Sequence, residues 1–211
     1  MSNAVEVWAL SKSFGKEMVL KNITLSLESG KIHGIIGRNG SGKTVFMKCI
    51  LGFLKPDTGT VSVFGKTVGK DVDFAPNTGM MIENPGFLLS ESGPNNLKWL
   101  FSGKTSQKPD IPALMQSVGL KANSKKPVGK YSLGMRQRLG IAQAIMERPK
   151  LLILDEPMNG LDNKGVEDMR NLFRSLKEQG VTILLCSHNP LDISELCDTV
   201  WEMDGGVLKR I

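Results

Sequence analysis

Apolar and polar residues alternate along MVLKNITLSLE (18–28). With AVEVWAL (4–10) before it, this pattern predicts that the chain opens with two strands. KIHGIIG (31–37) is a shorter apolar strand that runs directly into RNGSGKT and then into VFMKCILGFL (45–54), a helical pattern. KPDTG (55–59) ends that helix with Pro and Gly turn chemistry. TVSVFG (60–65) and GMMIE (79–83) read as two further strands.

Residues 84–130 break this rhythm. Pro85, Pro94, Pro109, Pro112 and Pro127 separate short helical pieces such as NNLKWLF (95–101) and IPALMQSVGL (111–120), which reads as a small, mostly helical insertion. A helix at 132–147 then restores the earlier order. It is followed by the strand LLILDE (151–156), a helix near 164–179, the strand VTILLCS (181–187), a short helix at 190–196 and a closing hairpin, TVWEMDGGVLKRI (199–211). Strands alternating with helices predict an α/β fold with a mainly parallel sheet covered on both faces.

Composition narrows the picture only slightly. A chain of 211 residues suits one domain (1–211) with an inserted helical subdomain, about 84–148. The net charge of +6 leaves room for anionic partners. Lys121, Lys125, Lys126 and Lys130 cluster without interleaved aromatics, however, which describes a solvated loop and not a nucleic-acid groove. No nucleic-acid partner is expected. Cys49, Cys186 and Cys197 lie in apolar contexts without metal-ligand spacing, as small buried hydrophobes do in a reducing cytosol. No apolar stretch approaches the roughly 20 residues that cross a bilayer, so the expected location is cytoplasmic.

The strongest chemical signal is GRNGSGKT, comprising Gly37, Arg38, Asn39, Gly40, Ser41, Gly42, Lys43 and Thr44. It fits G-x-x-x-x-G-K-[ST] at every fixed position, between a predicted strand and a predicted helix. Glycines let backbone N–H groups converge on phosphate oxygens, and the helix N-terminus adds the positive end of its dipole. Lys43 can then reach the β- and γ-phosphates, and the Thr44 hydroxyl can ligate Mg²⁺. LLILDE supplies a complement: its apolar run makes a buried parallel strand whose C-terminal end delivers Asp155 and Glu156. Asp155 is the candidate Mg²⁺ holder and Glu156 the candidate general base.

With those residues in place, the chain resembles the nucleotide-binding subunit of an ATP-binding cassette (ABC) transporter from about residue 4 to 206. The motifs follow the family's order. After the phosphate loop comes YSLGM (131–135), where the family's L-S-G-G-Q signature stands, then LLILDE, NGLD (159–162) as the D-loop, and His188 as the switch histidine. The resemblance implies a P-loop ATPase with a mainly parallel core sheet, an N-terminal antiparallel β-subdomain and an inserted helical subdomain. It implies ATP and Mg²⁺ as cofactors and a second nucleotide-binding subunit, identical or paralogous. It also implies a separate transmembrane permease that would hold the chain at the inner face of the membrane. Ser132 is a good N-cap for a helix with an apolar stripe at Leu139, Ala142, Ile145 and Met146. In the family, two chains pack head to tail, so the resemblance implies that Ser132 and Gly134 grip the γ-phosphate of the partner's ATP.

Two positions depart from the family pattern. Leu133 and Met135 stand where Gly and Gln are usual. The Q-loop glutamine falls at Glu83, a third metal-site residue by the resemblance, whose carboxylate can still accept from a Mg²⁺-bound water but whose charge near phosphates needs the metal to offset it. Together with ENPGF and SLGMRQRLGIA, these variants resemble the bacitracin- and lantibiotic-export type. His188 is then either a γ-phosphate contact or a structural histidine, Phe14 either stacks on adenine or packs its strand, and Asp162 contacts the partner, caps a helix or does both. Phe87, Leu88 and Leu89 are expected to be exposed where the permease docks. A non-transport cassette ATPase acting on nucleic acid or the ribosome is the alternative. Against it, the span from Lys43 to Asp155 leaves no room for a long coiled coil. A GTPase would need an N-K-x-D motif, which the chain lacks.

Overall fold

The computed structural model describes residues 2–83, 86–103 and 108–211. Strands β1 (Asn3–Phe14) and β2 (Glu17–Glu28) form a long hairpin that extends past Leu10, where the first strand was expected to end. A register shift between Val7 and Leu10, with Ala9 at φ 47, marks a bulge through which pairing resumes. Strands β3 (Ile32–Ile36), β4 (Thr58–Val63) and β5 (Lys66–Thr67) follow, and β4 and β5 extend the hairpin into an antiparallel sheet of order β2-β1-β4-β5. Helix α1 (Lys43–Leu51) lies between β3 and β4. It stops short of the expected Leu54 because Gly52 takes up a left-handed C-cap at φ 89.

The second sheet has the order β10-β9-β3-β8-β7-β6, with β6 (Thr78–Met81), β7 (Leu151–Asp155), β8 (Thr182–Cys186), β9 (Thr199–Asp204) and β10 (Val207–Arg210). All its pairings are parallel except the β9–β10 hairpin. Between β6 and β7 come α2 (Gly93–Leu100), α3 (Ile111–Ser117) and α4 (Leu133–Ile145); α5 (Asn163–Glu178) and α6 (Pro190–Leu196) follow later. Ser92 caps α2 and Asp110 caps α3, each followed by a proline in the first turn.

Period-two alternation in the central strands divides the interior into two cores. Leu151, Ile153, Leu184, Cys186 and Ile35 face α1 and the antiparallel sheet, packing on Phe46, Met47 and Ile50. Leu152, Leu154, Ile183, Leu185 and Ile32 face the opposite way, onto α4 and α5, through Leu139, Ala142, Met169 and Phe173. Burying each of these larger apolar side chains contributes about 1.5–3 kcal/mol, so both faces anchor the same strand ends. Cys49 and Cys186 are buried, and burial pushes the Cys49 thiol up to about 11. Among the described residues no helix is long and apolar enough to cross a membrane.

Candidate functional site

Strand β3 lies between β9 and β8, and its C-terminal end releases Gly37–Thr44 into α1. Gly42 caps that helix at φ 109, a value disfavoured for a side-chain-bearing residue, and a Cβ there would come within 3.0 Å of Leu20 and 3.1 Å of the Val19 carbonyl. The loop encloses a cavity of about 260 Å³ lined by Val19, Asn39, Gly40, Gly42, Lys43, Thr44, Val45, Asp155 and Glu156. Lys43 is buried, and its Nζ donates to the carbonyls of Gly37 (2.6 Å) and Arg38 (3.1 Å). Ser41 Oγ is buried without a partner among the described residues. Arg38 is exposed and does not line the cavity.

The parallel sheet brings the end of β7 to the same place. Thr44 Oγ1 donates to Asp155 Oδ2 at 2.8 Å. Burial raises the Asp155 carboxyl above its ordinary value, and the Thr44 hydrogen bond works against that rise. A carboxyl raised in this way favours the fold while protonated, and the benefit is lost as pH rises through the raised value. Asp155→Asn is therefore expected to raise the melting temperature of the nucleotide-free chain at neutral pH, by about 1–3 °C. Calorimetry that found the variant less stable would show that ionised Asp155 stabilises the site.

Glu156, at φ 49, occupies a left-handed conformation that side-chain-bearing residues avoid, at a cost of about 1–3 kcal/mol. Its amide donates to the Cys186 carbonyl at 2.9 Å, and its own carbonyl accepts from Asn159 N (3.2 Å) and Gln137 Nε2 (2.6 Å). Glu156 Oε2 lies 2.8 Å from His188 Nδ1, while Oε1 is buried without a partner among the described residues. His188 itself is largely exposed. One oxygen of the carboxylate is thus held and the other is left unpartnered.

Other expected residues lie outside the cavity. Ser132 Oγ accepts from Met135 N at 3.2 Å, capping α4. Gly134 packs so closely that a Cβ would meet the Gly160 carbonyl at 2.8 Å. Asp162 caps α5 by accepting from Gly165 N at 2.9 Å, so its capping reading is realised within a single chain. Phe14 is 48% exposed with Lys12 Nζ 5.6 Å from its ring centroid, which makes it a surface aromatic and not a packed strand residue. Phe87 departs from expectation: it is buried in the helical core, while Leu88 and Leu89 are 50% and 60% exposed. Asn96 explains the difference. Its side chain bonds both the amide and the carbonyl of Leu88, fixing a turn that lifts Leu88 and Leu89 outward.

Glu83 has φ 58 and accepts from Lys48 Nζ at 2.6 Å. Its charge reaches Asp155, where it adds to the upward shift of that carboxyl. Lys48 and Gln137 were not foreseen. The only hint for Lys48 was its position one helical turn beyond Thr44, and nothing in the sequence singled out Gln137.

The profile of a family described as ABC transporter matches residues 20–159. An ABC transporter ATP-binding protein of Bacillus subtilis (strain 168), YybJ, is 40% identical over 97% of this chain and 94% of its own length. The bacitracin transport ATP-binding protein BcrA of Bacillus licheniformis is 39% identical over 99% of this chain and 69% of its own length. A solved structure of an ATP-binding subunit of an ABC transporter superposes with a TM-score of 0.88 at 25% identity, covering 98% of this chain and 88% of that one.

Proposed function

This chain belongs to the ABC transporter family, and from that premise we propose that it is the motor subunit of an exporter whose permease is a separate polypeptide. The family binds ATP and hydrolyses it to power transport. One observation supports the assignment of roles above all others: Thr44 and Asp155, hydrogen-bonded to each other, line the same cavity of about 260 Å³ as Glu156, whose Oε1 is buried without a partner among the described residues.

Lys43 holds two carbonyls where a triphosphate would lie, and exchanging them for β- and γ-oxygens keeps its ammonium partnered throughout. Thr44 and Asp155 are hard oxygen donors of the kind Mg²⁺ takes, so the residues fit that ion. Bound with the nucleotide, it would supply charge neutralisation at the phosphates. Glu156 accepts the proton of the attacking water, and His188 orients the carboxylate and faces the γ-phosphate. Lys48 already balances the charge of Glu83, which makes an acid tolerable at that position. Ser132 and Gly134 do not line this chain's own cavity, in keeping with service to a second chain's nucleotide.

BcrA is named for bacitracin transport, and we take a peptide antibiotic as the substrate class. Leu88 and Leu89 form the permease contact. Leu88→Asp/Leu89→Asp is expected to abolish co-purification with a membrane partner while leaving ATP binding within about twofold. Undiminished co-purification would refute the docking assignment.

A further inference from the structure

Helix α4 carries Ser132 and Gly134 at its start. Less than two turns further on, the Gln137 side chain donates to the Glu156 carbonyl at 2.6 Å. We propose that Gln137 is a positioning residue: it ties the signature helix to the general base, so that what α4 meets at the partner's nucleotide is passed to hydrolysis in its own chain. The proposal rests on the two-chain reading above and goes beyond it by naming the connection between the two sites.

A glutamate holds a left-handed backbone only when its surroundings over-determine it. The bond to Cys186 comes from the neighbouring strand, and the bond from Asn159 comes from the turn that follows. Gln137 alone brings in α4. The amide of Gln137 must present Nε2, because its oxygen would face another carbonyl oxygen. The same helix is fastened to the segment after Glu156 at two further points. Gly134 lies against the Gly160 carbonyl, and Arg138 bonds Asp168 at 3.2 Å. Movement of α4 therefore pulls on the Glu156 carbonyl and swings the carboxylate about the same Cα. Gln137 does not line the phosphate cavity, so it acts through Glu156.

Gln137→Leu removes the donor at similar volume, Gln137→Glu replaces it with an acceptor, and Gln137→Lys keeps an N–H donor. For the Leu and Glu variants, kcat is expected to fall about tenfold or more, the order of loss that follows misplacement of a reacting group. KM and ATP affinity should stay within twofold, and Lys should recover most of the rate. Melting temperatures and ATP binding verify that each variant is folded.

Mixed dimers then locate the effect. Gln137→Leu paired with Glu156→Gln leaves the one working base beside the missing amide, and should run at about half the rate of the Leu variant alone. Wild type paired with the Gln137→Leu/Glu156→Gln double variant should keep about half the wild-type rate. The reverse order, or an unchanged kcat in the Leu variant, overturns the proposal. A fully active Glu156→Gln chain would overturn the general-base assignment, and this proposal with it, so the two failures are read from different variants.

Discussion

Glu156→Gln is expected to cut ATP turnover by about 10²–10⁴-fold, the usual yield of a positioned general base, while ATP binding survives and the chain accumulates as an ATP-bound dimer. Glutamine matches the shape of glutamate and can keep the 2.8 Å contact with His188 Nδ1, and the backbone bonds to Cys186, Asn159 and Gln137 do not depend on the side chain. Geometry is thereby preserved and only proton acceptance is removed. Lys43, Thr44 and the loop amides are untouched, so nucleotide should still enter the cavity. Single-turnover hydrolysis combined with light scattering checks both halves of the expectation. Turnover within tenfold of wild type would place the base elsewhere, and loss of ATP binding would mean that Glu156 is part of the binding floor.

That experiment turns on residues that could be read from the chain. The phosphate loop and the acids after LLIL are local signals: each combines a short run of fixed chemistry with the strand that delivers it. The alternation inside LLIL goes further, because Leu151 and Ile153 face one core and Leu152 and Leu154 the other. A continuous apolar run announces a strand buried on both sides, and the carboxyl ends of such strands are where ligands bind in α/β sheets.

What the sequence hid depends on contacts between distant residues. Lys48 and Glu83 are brought together by the return of β6 to the sheet, and Gln137 and Glu156 by the packing of α4 over the end of β7. No periodicity encodes either pair. Phe87 was misplaced for a related reason. In GFLLS three apolar residues precede a turn, and nothing local says which one turns inward. Asn96 makes that choice from the next helix, through its bonds to Leu88. The first strand outran its predicted end because a bulge at Ala9 interrupts the pattern without ending the pairing.

The packing of α4 can be tested directly at Gly79, where a side chain is expected to cost more stability than at most surface positions. Gly79 lies in β6 opposite Leu152, and a Cβ there would be 1.9 Å from the Ala144 carbonyl and 2.9 Å from Pro149. The obstacle is backbone, which cannot rotate aside as a side chain can, so the end of α4 or the strand must move. Gly79→Val is expected to destabilise the chain by about 3 kcal/mol or more, the upper range for overpacking. For a chain of this size that lowers the melting temperature by about 6–12 °C. The neighbouring Met80 is 39% exposed, and Met80→Ala should leave the melt within about 2 °C. Function should be lost unevenly. The phosphate loop follows β3, separated from β6 by β8 and β7, so ATP binding in the folded fraction should persist. Helix α4 carries Ser132, Gly134 and Gln137, so its displacement should depress hydrolysis and ATP-dependent pairing together. A Gly79→Val chain that melts like wild type would show that α4 can yield at that contact, and the rigid link from signature helix to general base would fall with it.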